Sequence, residues 1–201
     1  MTKEIDYYFS LQSPWSYLGT GRFAEIARRR GAVVHVKPCD LGKVFAASGG
    51  LPVAQRPKQR QAYRLVELER WRDFLGIPLI LRPTHLPISG DIGARAVIAA
   101  RRLEGEDVAF ALAAALGRAI WAEDRDVADP GTVEAVAREA GLDGGVILSA
   151  AGMPEAAAEH AANTAEAIER QVFGAPAYVF RGELFWGQDR LDFLDRALAR
   201  E

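Results

Sequence analysis

Polar and apolar positions alternate on different periods in different parts of the chain. Residues 4–9 carry Ile5, Tyr7, Tyr8 and Phe9 in a short aromatic-rich run, which predicts a strand. Ser13-Pro14 then predicts a helix start, with Ser as the N-cap and Pro in the first turn. That helix is expected to run to about Arg30. Arg28, Arg29 and Arg30 suit the negative end of its dipole, and Gly31 is a natural stop. The run 32–37, AVVHVK, predicts a second strand, so the first 40 residues form a βαβ unit with a parallel strand pair.

The rhythm then changes for about 130 residues. Gly42, Gly49, Gly50, Pro52 and Pro57 predict a loop over 42–60. A helix is expected from about Arg56 to Leu75, ended by Gly76 and Pro78. The stretches 90–103, 107–121, 131–140 and 154–172 are Ala-rich and helical in period. Strands return only at 177–180 and 183–186, where Arg181-Gly182 predicts a hairpin turn. Gln188-Asp189 opens a last amphipathic helix along Leu191, Leu194 and Leu198, with Asp189 available as its cap. The order is βαβ, a helical block, then ββα. It predicts one open α/β sheet built from 1–40 and 171–201, with residues 41–170 as an inserted helical domain.

Composition narrows the function. The chain has 201 residues and a formal net charge of −2, which offers no basic field for nucleic acid or an anionic membrane. No run of ~18 apolar residues predicts a membrane span, and no signal-type apolar run follows Met1, so a cytoplasmic protein is expected. Cys39 is the only cysteine, which excludes a CxxC motif and an internal disulfide. His35, His85 and His160 lack metal-ligand spacing, and no metal site is expected.

Three short segments carry candidate chemistry. In Ser13-Pro14-Trp15-Ser16, a hydroxyl sits where a helix N-terminus presents free N–H groups to an anion, a thiolate included; the same pattern serves a plain N-cap. In Phe173-Gly174-Ala175-Pro176, a proline before a strand can be cis and leave the backbone of Ala175 free to pair with an extended peptide; it can equally be a loop proline. In Trp186-Gly187-Gln188-Asp189, a helix start and a carboxylate could hold a carboxylate and an ammonium group.

Taken together, these segments resemble the 2-hydroxychromene-2-carboxylate isomerase family, within the DsbA-like and kappa-class glutathione transferase group. The resemblance spans nearly the whole chain and rests on YYFSLQSPWSYLG at 7–19, LGKVFAASGG at 41–50, AIWAEDRDVADP at 119–130, VFGAP at 172–176 and FWGQDRLDFL at 185–194. It implies a thioredoxin-like domain interrupted by a helical domain, with glutathione as cofactor in the cleft between them. It implies Ser13 as the catalytic serine, Ala175 and cis Pro176 against the cysteinyl backbone of glutathione, and Gln188 and Asp189 at its γ-glutamyl end. Trp15, beside Ser13, is expected to line the pocket of a small aromatic substrate, and a homodimer is implied. A glutathione-consuming transferase or peroxidase of kappa type, or a non-catalytic glutathione-binding protein, are the alternatives. Departures from the family pattern are Gly50, where relatives often have Asn, Ser10, where they commonly have Asp, and the segment Lys58–Arg60, where either cation could meet glutathione.

Overall fold

The computed structural model describes residues 2–200. Strands β1 (Lys3–Phe9), β2 (Ala32–Pro38), β3 (Ala177–Phe180) and β4 (Glu183–Trp186) form one sheet in the order β2-β1-β3-β4. β1 and β2 run parallel, in register from Lys3 opposite Ala32 to Phe9 opposite Pro38. β3 is antiparallel to β1, with Tyr7 opposite Tyr178, and β4 closes the expected hairpin on β3. Its two turn residues, Arg181 and Gly182, both have positive φ (52° and 80°), the backbone a two-residue hairpin of this twist requires.

Helix α1 (Pro14–Arg30) is bounded as expected. Ser13 is its N-cap, and Gly31 ends it in the left-handed region at φ 62°. The expected loop over 42–60 is corrected. Residues Leu41–Ser48 form helix α2, capped by the Asp40 side chain and ended by Gly49 at φ 76°. A short 3-10 turn follows at Val53–Gln55, then helix α3 (Lys58–Leu75). The glycines that suggested a loop sit at the ends of α2, and only Val44 of that helix is buried, so its apolar rhythm is faint.

Helices α4 (Ile92–Glu104), α5 (Glu106–Trp121) and α6 (Pro130–Glu139) match expectation. Helix α7 (Gly144–Ala151) was not foreseen. It starts at a glycine because a Cβ at Gly144 would lie 2.3 Å from the Glu134 carbonyl oxygen on α6. Helix α8 (Pro154–Glu169) ends before residue 172, and Gln171 turns out of it at φ 61°. Helix α9 (Leu191–Ala199) closes the chain. Asp189 does not cap it: the residue lies within a preceding 3-10 turn, Gln188–Arg190, and its carboxylate pairs with Arg190 instead.

The main apolar core crosses from the sheet into the helical stretch. Phe110 of α5 lies 5.8 Å, ring to ring, from both Tyr7 of β1 and Phe23 of α1. Leu112 and Leu116 of α5 are fully buried in the same cluster as Leu18 and Tyr178. Among the described residues no helix is long and apolar enough to cross a membrane, and no cluster of metal-ligating side chains occurs.

Candidate active site

Ser13 stands where β1 has ended and α1 begins. Its backbone is extended (φ −97°, ψ 112°), and its side chain is 5% exposed. The Ser16 N–H donates to Ser13 Oγ at 3.2 Å, which is the N-cap bond, and the Ser13 hydroxyl donates to the Ala175 carbonyl at 3.0 Å. The Ala175–Pro176 bond is cis. Two segments 162 residues apart in sequence therefore meet at one hydroxyl.

The positive end of α1 is open at this point. Its first turn holds no acidic residue. Pro14 has no N–H, while Ser16 and Tyr17 donate theirs to the Ser13 carbonyl at 3.1 and 3.2 Å. Among the described residues, the Trp15 N–H is the first-turn donor with no intramolecular acceptor. The loop before Ser13 is pinned from below, since the buried Trp121 indole donates to the Leu11 carbonyl at 3.0 Å.

The third segment is tied to the second. The Gly187 N–H donates to the Pro176 carbonyl at 2.9 Å. Gly187 adopts φ 92°, and a Cβ there would lie 2.5 Å from Asp189 Oδ1, so glycine is required. Gln188 is 1% exposed. Arg22 of α1 donates to both its side-chain oxygen (3.2 Å) and its carbonyl (3.3 Å). Gly174 packs under Trp186, where a Cβ would lie 2.6 Å from the indole nitrogen.

A cavity of about 570 Å³ opens over this surface. Trp15, Ala175, Gln188 and Asp189, four of the six residues singled out in sequence, line it; Ser13 is hydrogen-bonded to Ala175 and Pro176 follows Ala175 directly. Sequence reasoning missed its far wall, which α3 and the turn before it supply. Arg56, Arg60 and Arg64 face the cleft from there, and Arg190 from the near side, against only Glu67 and Asp189. Burial lowers the pKa of Arg56 and Arg64, and Arg60 and Arg56 respectively add like-charge repulsion. An arginine stays charged under such a shift, so Arg64 presents a partly buried cation with no carboxylate partner among the described residues. An anionic ligand relieves that imbalance. Of the two candidates left open by the sequence, Arg60 lines the cleft and Lys58 does not. At Gly50, a Cβ would lie 2.6 Å from Phe45 Cδ1, so the Phe45 ring occupies the space a larger residue would need.

Cys39 takes no part in this cleft. It is 3% exposed, its thiol donates to the Phe9 carbonyl at 3.5 Å, and burial pushes its pKa up to about 12.

Comparison with known proteins finds relatives over almost the whole chain. The family model of the DSBA-like thioredoxin domain matches residues 4–199. A 2-hydroxychromene-2-carboxylate isomerase from Sphingobium xenophagum is 33% identical over 98% of this chain and 99% of its own. A solved 2-hydroxychromene-2-carboxylate isomerase structure superposes with a TM-score of 0.79 at 28% identity, over 98% of this chain and 95% of that one. A glutathione S-transferase kappa 1 from Caenorhabditis elegans is 32% identical over 83 residues, 41% of this chain and 36% of its own.

Proposed function

The chain belongs to the DSBA-like thioredoxin family and, within it, to the 2-hydroxychromene-2-carboxylate isomerases; from that premise we propose that it is a glutathione-dependent isomerase of this type, acting on a small aromatic acid. The observation that carries the reading is the Ser13 hydroxyl, set at the open end of α1 and 3.0 Å from the carbonyl before cis Pro176.

The residues of the cleft suit glutathione. A tripeptide with two carboxylates, an ammonium and a thiol needs cations, an acid and an open backbone strand. Arg60 and Arg64 offer the cations, Asp189 the acid, and Ala175 the backbone edge. When bound, glutathione supplies a thiolate that adds reversibly to the substrate's conjugated system and leaves unchanged after a bond has rotated.

The task of Ser13 is to favour the thiolate over the thiol. A free thiol titrates near ~8.5, so little is ionised at neutral pH. The Ser13 hydroxyl now donates to a neutral carbonyl, a bond of about 0.5–1.5 kcal/mol net; a bond to a charged acceptor contributes about 1.5–3. The hydroxyl therefore turns from Ala175 to a sulfur anion when one is present. The Trp15 N–H and the dipole of α1 add about 0.3–1 kcal/mol. Net of the Ala175 bond given up, these effects amount to about 1–3 kcal/mol, which lowers a thiol by roughly one to two pKa units. Ser13 itself stays protonated. Trp15 forms the wall beside it.

Spectrophotometry with 2-hydroxychromene-2-carboxylate and its open-chain isomer tests the proposal. Wild type interconverts them only with glutathione present, and Ser13→Ala loses most of that rate; an absent wild-type rate, or one indifferent to Ser13, refutes it. The kappa-type match over 83 residues favours one other reading, a transferase that consumes glutathione. Conjugation of an electrophilic aryl halide at a rate exceeding isomerisation would establish that reading instead. We also propose a cytoplasmic setting, where reduced glutathione is abundant, and a homodimer. The exposed Val66 and Phe74 on α3 support the latter; sedimentation equilibrium tests it.

A further inference from the structure

We propose that Trp121, the last residue of α5, is the positioning residue of the Ser13 hydroxyl, acting through the turn that delivers Ser13 to the head of α1. The inference rests on the isomerase reading and deepens it. Trp121 is not among the residues that line the cleft, so its effect on the reaction passes through Ser13.

The chain leaves β1 at Phe9 and makes one tight turn before α1 begins. The Ser13 N–H donates to the Ser10 carbonyl at 3.0 Å, which makes Ser10–Ser13 a β-turn with Leu11 and Gln12 at its central positions. The Leu11 carbonyl belongs to the peptide between those two. The orientation of that peptide is what separates a type I from a type II turn. A turn that exchanges the two does not hold its fourth residue still, and here the fourth residue is Ser13. Two side chains fix the turn. The Ser10 hydroxyl accepts from the Gln12 N–H at 3.3 Å, a local bond at a partly exposed site. The Trp121 indole donates to the Leu11 carbonyl at 3.0 Å in a buried site, from 110 residues away.

A buried indole needs an acceptor wherever it lies. What distinguishes this one is the acceptor it has, the central peptide of the turn that ends on Ser13. The indole is itself held. Trp121 is fully buried, and its carbonyl accepts from the Ile80 N–H at 2.6 Å. Two residues before Ile80, the Pro78 carbonyl accepts from the Tyr17 hydroxyl of α1 at 2.8 Å, so residues 78–80 bridge α1 and the end of α5. On its other side the turn meets α4, where a Cβ at Gly93 would lie 3.0 Å from Leu11 Cδ1. A reacting group has to be kept within about 0.5 Å of its working position by neighbours that packing has locked. Trp121 meets that description for Ser13.

The test is a double-mutant cycle on the full chain, with Trp121→Phe, which keeps a ring and removes the N–H, and Ser13→Ala. It is read by isomerase kinetics across pH and by amide hydrogen exchange. Trp121→Phe is expected to lower kcat about ten- to a hundredfold at pH ~7, the scale of a small misplacement, with KM for glutathione changed less than about twofold. The deficit shrinks toward pH ~8.5, as that of Ser13→Ala does. The double variant is no slower than Ser13→Ala alone, because both changes remove one function. Exchange at the Ser13 amide speeds up about tenfold more than at the Phe23 amide in the middle of α1. If the Phe variant does not fold, benzothienylalanine at position 121, which has the shape of tryptophan with sulfur in place of the N–H, carries the same expectations. The proposal is overturned if the two deficits multiply, if kcat is unchanged, or if the Ser13 amide speeds up no more than that of Phe23. A wild type without turnover refutes the isomerase reading instead, and the exchange measurement, which needs no glutathione, still decides whether Trp121 governs the turn.

Discussion

The Ser13 hydroxyl has one hydrogen to give, and at rest it goes to the Ala175 carbonyl. If that hydrogen stabilises a thiolate, its removal has a characteristic pH signature. Losing a bond of about 1.5–3 kcal/mol predicts that Ser13→Ala falls roughly ten- to a hundredfold in kcat/KM at pH ~7. The deficit shrinks as pH rises through the ordinary thiol range near ~8.5, because there the thiolate forms without help. Rate profiles from pH ~6 to ~9 check this; a constant deficit at every pH would mean that Ser13 acts in some other way. Cys39 gives a second prediction at this scale. Burial holds its folded pKa at about 12, above the ordinary range of a thiol, so the folded state holds the proton more tightly. The resulting stability is fully present below pH ~9 and is lost as pH rises toward 12. A thiol reagent at pH ~8 is expected to leave Cys39 untouched until the chain unfolds.

At the scale of elements, the cleft depends on how closely α1 approaches the Gln188 turn. Gly19 makes that approach possible: a Cβ there would lie 2.8 Å from Gln188 Cβ and 3.1 Å from the Tyr178 hydroxyl. Arg22, three residues on, then holds Gln188 from the same helix. Gly19→Ala overpacks this contact, which predicts a loss of about 1–3 kcal/mol in stability. It also displaces the turn that carries Asp189, so KM for glutathione rises more than kcat falls. Denaturation and glutathione-dependent kinetics measure the two effects. What could be foreseen from the sequence divides along the same line. Ser13-Pro14, Gly31 and Asp129-Pro130 are local signals, and the helices they bound came out at the expected residues. The Ser13, Ala175 and Gln188-Asp189 segments were legible because each is a short pattern that carries its own reason. Helices α2 and α7 were not, because glycines at or near their ends imitate loops. The arginines of the far wall were not either: nothing within RPKQRQAYR says which side chains look across to Ala175, and only the packing of α3 decides it.

The molecule as a whole does not divide as simply as its strand order suggests. We propose the partition into 1–40 with 171–201 and 41–170 as a description of topology, with the two parts folding together. The sheet's apolar face is completed by α5: Phe110 lies against Tyr7 and Phe23, and Leu112 is fully buried in the same cluster. A sheet deprived of that helix would lose the ring that covers Tyr7 and Phe23 from the far side. Truncating Leu112 to Ala is therefore expected to cost about 2–5 kcal/mol and to lower one shared transition, without splitting it. Near- and far-ultraviolet circular dichroism during denaturant unfolding should coincide in wild type and variant alike. Two separated transitions, or a folded product after excision of 41–170, would show the parts to be independent. Coincident transitions would mean that the proposed glutathione cleft, walled by α3 on one side and by the α1 junction on the other, is held in shape by the stability of the entire chain.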